Sequence, residues 1–184
     1  MIEEHPFGYY LPENADKLLI GSFPCHNGKD YGDWFYSGSG KSDFWKLMSD
    51  VFGMPCFTKD NKTEICLKHG IAITDIASKI ERTKGNCSDS NLKIVEVNTA
   101  GINSCLKANI KVIYFTSKFV ERHFSRNFPE VKIPSSVLLS PSPAANVYIA
   151  GLPEYKDLLN RKEVSSPYDF RLLKYQDSLL NGNR

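Results

Sequence analysis

Lys17-Leu18-Leu19-Ile20-Gly21-Ser22-Phe23, followed at once by Pro24, is the stretch on which the fold turns. It is short, rich in apolar residues, and ends in small and polar ones. A strand buried on both faces of a parallel sheet reads this way, because neither face alternates with solvent. Residues 70–75, 110–116 and 136–140 have the same character. Helical patterns lie between and after them. Residues 42–52 set Phe44, Leu47, Met48 and Val51 on one face, with Ser42 or Asp43 as the N-cap. Residues 99–108, 117–127, 152–160 and 168–180 read as further helices, Ser117 capping the one it opens. Strands alternating with helices predict a right-handed, mostly parallel α/β sheet.

The 184 residues suit one domain spanning 1–184. Hydrophobic residues at 41% and charged residues at 24% describe an ordinary globular chain rather than a disordered one. A net charge of +2 permits a nucleic-acid partner without demanding one. No run approaches the ~20 apolar residues of a membrane span. Met1-Ile2-Glu3-Glu4-His5 lacks the basic-then-apolar order of a signal peptide. The expectation is a cytoplasmic monomer without membrane contact. Cys25, Cys56, Cys66, Cys87 and Cys105 are odd in number and contain no C-x-x-C. They read as thiols in a reducing compartment, with no metal and no cofactor implied.

In open α/β sheets ligands bind at the carboxyl ends of the strands. The loops there are Gly21-Ser22-Phe23-Pro24-Cys25, then Asp75-Ile76-Ala77-Ser78, then Ser140-Pro141-Ser142-Pro143-Ala144-Ala145-Asn146. Proline fixes such loops at little further entropic cost. An aromatic ring, small hydroxyls and backbone N–H groups suit a planar, polar-edged ligand such as a nucleobase; ordinary turns have the same composition. Gly38-Ser39-Gly40-Lys41-Ser42 imitates the end of a phosphate-binding P-loop, with Asp75 as its magnesium carboxylate. The full motif needs a glycine where this chain has Phe35, and a buried strand directly before it. A Gly/Ser loop leading into a helix, or a contact from Lys41 to a DNA phosphate, fits better than a phosphotransferase.

Leu18-Leu19-Ile20-Gly21-Ser22-Phe23-Pro24, then Phe35-Tyr36, then Phe44-Trp45 resembles the opening of the hypoxanthine-DNA glycosylase-like branch of the uracil-DNA glycosylase superfamily. That branch has a strand ending in G-S-F-P-G, then Y-Y-x-x-x-x-N-x-F-W. Gly70 to Asp75, Glu81-Arg82 and Ser88-Asp89-Ser90 are similar to its G-I-A-L-x-D, E-R and S-L-D-S. Ser140-Pro141-Ser142-Pro143-Ala144 is similar to its S-T-S-P-A-N. The matches keep their order from about residue 17 to 146.

The resemblance implies a three-layer α/β/α sandwich around a central four-stranded parallel sheet. It implies hydrolysis of the N-glycosidic bond of a deaminated base, uracil or hypoxanthine, flipped out of DNA. Gly21, Ser22, Phe23, Pro24, Cys25 and Tyr36 would then hold the base, with Phe23 stacking on it. Lys41, Ser140, Pro141, Ser142, Pro143 and Ala144 would hold the DNA backbone. The candidates for positioning water are Ser42, Asp43 and Asp75. The branch's catalytic Asn falls on Ser42; the neighbouring Asp43 either takes that role or serves the helix N-terminus. Better-known branches carry Asp or Asn where this chain has Phe23, and His or Asn where it has Ser140. Cys25 replaces the motif glycine. These departures keep a second reading open, a weakly active or inactive member that binds nucleic acid or a free base. No lysine sits in the motif loops to form a Schiff base, so water is the nucleophile.

Asp75 either positions water, bonds the base or caps the next turn. Asp89 orients a loop, contacts DNA or stabilises a turn. His26, beside Asn27, is a base or phosphate contact or a surface residue. Trp34-Phe35-Tyr36 suits stacking or the core. Lys29, Lys41, Lys118 and Arg122 are candidate phosphate contacts. His5, His69 and His123 carry no pattern.

Overall fold

The computed structural model describes residues 1–26, 28, 30–38 and 42–182. Its strands are β1 (Ile2–Glu4), β2 (Tyr9–Tyr10), β3 (Lys17–Gly21), β4 (Ile71–Asp75), β5 (Ala77–Arg82), β6 (Leu92–Val97), β7 (Val112–Phe115) and β8 (Ser135–Val137). Its helices are α1 (Phe44–Phe52), α2 (Lys59–Lys68), α3 (Thr99–Leu106), α4 (Lys118–Asn127), α5 (Asn146–Gly151), α6 (Pro153–Asn160) and α7 (Pro167–Leu180).

Leu18, Leu19 and Ile20 have no exposed surface, as a strand with neighbours on both edges and helices on both faces requires. β3 pairs in parallel with β4 on one side and β7 on the other, and β7 pairs in parallel with β8. The pleat then sorts the side chains. Leu18 and Ile20 join Ile113, Phe115, Ile102 of α3 and Val120 and Phe124 of α4. Leu19 joins Tyr114, Ile71, Ile73, Leu47 and Met48 of α1, Ile65 of α2 and Tyr175 of α7 on the opposite face. Two cores thus sandwich one sheet.

The expected four-stranded parallel sheet needs correcting. β2 adds itself antiparallel to β4, so the sheet has five strands in the order β2-β4-β3-β7-β8 and is mixed. A separate antiparallel sheet of three strands, β1-β5-β6, stands beside it. Two-residue β2 is too short to show any period. The β5–β6 hairpin alternates buried and exposed positions weakly, since one side of it faces water.

Helix α2 has no apolar stripe, and sequence periodicity passes it by. A reciprocal capping box between Thr58 and Asn61 starts it, and Lys62, Ile65 and Cys66 are the residues it buries. Ser117 caps α4 by accepting from the Val120 N–H, as its sequence implies. Asp43 stands at the cap position of α1 but makes no side-chain cap hydrogen bond. Its carboxylate is engaged elsewhere. Among the described residues no helix is long and apolar enough to cross a membrane.

The reading of all five cysteines as thiols also needs correcting. Cys25 and Cys87 form a disulfide, their Cα atoms 5.4 Å apart, within the usual range for such a bond. The strands carry these residues together across 62 positions of sequence, a juxtaposition that spacing alone does not announce. Cys56, Cys66 and Cys105 remain thiols. Burial pushes the Cys66 and Cys105 thiols up to about 12, which makes them inert packing groups.

Candidate functional site

The parallel register brings three strand ends level. Gly21 is the ladder partner of Asp75, and the Thr116 N–H donates to the Ile20 carbonyl just past the end of β7. Gly21 is glycine for a steric reason. A Cβ there would stand 2.1 Å from Asp75 Oδ1 and 2.1 Å from the Tyr36 hydroxyl. The missing side chain is the room in which these two groups meet.

Asp75 is almost wholly buried, at 3% exposure. Its Oδ2 lies 2.9 Å from His5 Nε2. His5 Nδ1 accepts the backbone N–H of Phe7 at 3.1 Å and of Gly8 at 3.0 Å. Two donors on Nδ1 leave no place for a proton there, so Nε2 carries it and donates to Asp75. The carboxylate is thereby fixed through one oxygen, and Oδ1 faces the Tyr36 side. It does not cap the following turn.

The backbone supports this arrangement. Asn98 caps α3 with its Oδ1 and donates from Nδ2 to Thr74 Oγ1 at 3.0 Å and to the Asp75 carbonyl at 3.2 Å. Thr74 Oγ1 donates to the Gly8 carbonyl at 3.0 Å. The amino-terminal segment carrying His5 is therefore tied to β4.

Tyr36 has φ +59°, a left-handed conformation that is uncommon for a bulky side chain. Its hydroxyl lies 3.5 Å from Thr116 Oγ1. Burial first, then the Asp75 charge, hold this phenol well above its usual value, so it stays protonated. Its ring stacks on Phe44 with centroids 4.1 Å apart, joining the strand ends to the start of α1. Trp34 and Phe35 are core residues.

Phe23 sits on the other side of His5, ring edge to ring, at 5.4 Å. Tyr31 meets it edge-on at 6.0 Å and the Arg82 guanidinium lies 5.7 Å from its ring centre, leaving Phe23 only 7% exposed. The Ser22 carbonyl accepts from the Ala77 N–H. Pro24 and Cys25 turn toward the β5–β6 loop. Arg82 donates to the Pro24 carbonyl at 2.7 Å and pairs with Glu3, and Cys25 is bonded to Cys87. His26 lies 3.9 Å from Glu3. Asp89, in that same loop, accepts from Ser117 Oγ at 2.6 Å, which sets it at the head of α4.

A second group gathers around Arg171, a fully buried residue of α7. Its Nη1 lies 3.5 Å from Asp43 Oδ2. Its Nη2 donates to Asn146 Oδ1 at 2.8 Å and to the Ser142 carbonyl at 3.4 Å. The Asp43 N–H donates to the Pro141 carbonyl at 2.9 Å. The loop after β8 is thus held to α1 and α7 together. Ser142, Pro143 and Ala144 stay exposed at its tip, Ser140 Oγ accepting from Ser142 N–H and Ser142 Oγ from Ala144 N–H. Ser42 Oγ accepts from the Phe44 N–H at 3.3 Å. Lys41, with Asn27 and Lys29, lies outside the described residues.

The structure therefore brings Gly21, Tyr36 and Asp75 together, Phe23 beside them through His5, and Asp43 together with Pro141 and Ser142. It adds His5, Thr116, Asn146 and Arg171, which sequence reasoning did not single out. His5 is a lone histidine, and nothing local marks it. Arg171 lies in a helix pattern where an arginine reads as exposed. Among the described residues no three His, Cys, Asp or Glu side chains group as metal ligands. Two surface concavities lie elsewhere. One of about 370 Å³ is at Asn14, Lys17 and His69, by the start of β3, and one of about 430 Å³ runs along α4.

No family model matches the chain, and no curated protein matches it. A solved structure does. The solution NMR structure of a "putative Uracil DNA glycosylase" from Methanosarcina acetivorans superposes with a TM-score of 0.60 at 22% identity, covering 89% of this chain and 100% of that one. This chain has the same fold. The strand ends described above form the carboxyl edge of the parallel part of the sheet.

Proposed function

We propose that the protein is a monofunctional DNA glycosylase-type hydrolase that removes a deaminated base, uracil or hypoxanthine, from DNA without a cofactor. The observation that carries this reading is the Asp75 carboxylate, fixed through Oδ2 by His5, with Oδ1 meeting the Tyr36 hydroxyl in the space left by Gly21. Asp75 is the residue we assign to the attacking water. A fixed carboxylate oxygen accepts a hydrogen bond from water and steadies the positive charge that grows on the sugar as the base departs. Water adds to C1′, the N-glycosidic electron pair leaves with the base, and the water's proton ends on that base. The protonated Tyr36 phenol supplies a donor to it. The Ser140–Ala144 loop supplies backbone contact, whereas the Phe23 ring, covered by His5, Tyr31 and Arg82, would have to shed one of them to stack on a base.

A second assignment has its own support. Asp43 is held by Arg171 beside the exposed Ser142 tip, so Asp43, next to Ser42, is the rival water-positioning group. A binding protein without turnover is favoured by one feature, the Phe23 ring already covered by His5, Tyr31 and Arg82.

Single-turnover base release from oligonucleotides carrying uracil, hypoxanthine or xanthine, single-stranded and in each mismatch, tests these. Asp75→Asn is expected to slow release about 100-fold or more, in line with loss of a positioned acid–base group. Asp43→Asn and Ser42→Ala are expected to retain most of it. Wild-type rates in Asp75→Asn with loss in Asp43→Asn would transfer the role to Asp43. No release by wild type on any substrate would leave a binding protein.

A further inference from the structure

Only Thr116 and the cap Ser117, which bonds Asp89, separate helix α4 from the end of β7. Its buried side is made by Val120 and Phe124. Directly opposite, at successive i, i+4 spacing, stand Lys118, Arg122 and Arg126, all exposed. The other described arginines have carboxylate partners, Arg82 with Glu3, Arg161 with Asp157 and Arg171 with Asp43, as do some lysines, Lys17 with Asp16, Lys62 with Asp33 and Lys93 with Glu81. Among the described residues Lys118, Arg122 and Arg126 have none.

Stability of the helix does not account for this stripe. Like charges at i, i+4 repel one another and destabilise a helix. Lys118 also occupies the first helical position, where the helix dipole disfavours a cation. Glu121 is the one acid of the helix and stands on its flank. A shallow concavity of about 430 Å³ follows the stripe, lined by Phe119, Arg122, His123 and Arg126. Burial first, and then the neighbouring Arg126 and Arg122 charges, hold His123 below its usual value.

We propose that the Lys118–Arg122–Arg126 face of α4 is a docking track for the phosphate backbone of duplex DNA, leading away from the strand-end site. Four residues of helix rise about 6 Å, so the track is a regular row of charges. The DNA backbone is a regular row of opposite ones. An acidic protein surface has no such repeat. The proposal rests on the DNA-acting reading above for its choice of partner and for nothing else.

The test is the salt dependence of affinity for a short fluorescein-labelled duplex without a damaged base, read by anisotropy between roughly 50 and 200 mM salt. Wild type is compared with Arg122→Ala/Arg126→Ala and with a control, Lys59→Ala/Lys156→Ala, whose lysines are exposed and off this helix. The expected result is a fall of about 2 in the slope of log K against log salt for the α4 variant and none for the control. Its thermal midpoint should equal or exceed the wild type's, since repulsion has been removed. An unchanged slope overturns the proposal and leaves the stripe to an acidic protein partner; so does absence of wild-type DNA binding at the lowest salt. A reduced slope in a protein that releases no base upholds the track and defeats the glycosylase reading.

Discussion

The Cys25–Cys87 disulfide spans 62 residues and joins the loop after β3 to the loop that carries Asp89. Breaking it by Cys25→Ser/Cys87→Ser restores freedom to the unfolded chain. The chain-entropy relation for a closed loop of that length gives a loss of about 4 kcal/mol at 25 °C. The folded state loses less, because Arg82 still bridges Pro24 to the Asn86 carbonyl across the same gap. With a urea slope of about 2 kcal/mol per molar, the midpoint should fall by about 2 M. Wild type in a phosphine reductant should fall equally, and the serine variant should not respond to reductant. Thiol titration of the unfolded protein supplies the control, with three thiols before reduction, Cys56, Cys66 and Cys105, and five after. A protein that titrates three thiols yet loses less than about 1 kcal/mol on reduction would refute the entropic argument. One that titrates five throughout would refute the bond itself.

Other substitutions probe the site and its supports. Gly21→Ala would drive a methyl into Asp75 Oδ1 and the Tyr36 hydroxyl; overpacking of this kind costs about 1–3 kcal/mol, and base release should be lost with it, measured by urea unfolding and single-turnover assay. His5→Gln keeps a donor near Asp75 without the imidazole's fixed acceptor for Phe7 and Gly8; release should drop less than in Asp75→Asn in the same single-turnover assay. Arg171→Met removes the charge opposite Asp43 and the bonds to Ser142 and Asn146; stability should fall by about 3 kcal/mol, and proteolysis should become faster at the Ser142–Ala144 tip. Asp33, although burial opposes it, is held below its ordinary 3.8 by Lys62 and Ser37. A lowered folded value stabilises above the unfolded one and is lost as pH falls through the folded one. Acid unfolding of Asp33→Asn should therefore start from lower stability near neutrality and depend less on pH below about 4.

Residue order alone locates the sheet's centre and the edge at which its strands end. Unbroken apolar runs such as Lys17–Gly21 and Ile71–Asp75 can be satisfied only between two helical layers, and the small and proline residues that follow them can only be strand-end loops. Helices with a one-sided apolar stripe, α1 among them, were legible for the same reason. Polar α2 and two-residue β2 were not, since capping and edge pairing leave no periodicity. Ser117 was legible as a cap because its bond is local. Asp43 was not legible as Arg171's partner, because that contact joins positions 128 apart.

What each site residue faces depends on contacts made far along the chain. His5 reaches Asp75 across 70 positions and Arg171 reaches Asn146 across 25. Cys25 meets Cys87, and Tyr36 meets Thr116, by the same kind of closure. Such pairings are set by sheet register and by which helix packs on which face. Local pattern records propensity within a few residues, whereas charge, tautomer and confinement are properties of neighbours that the chain brings together only when it folds.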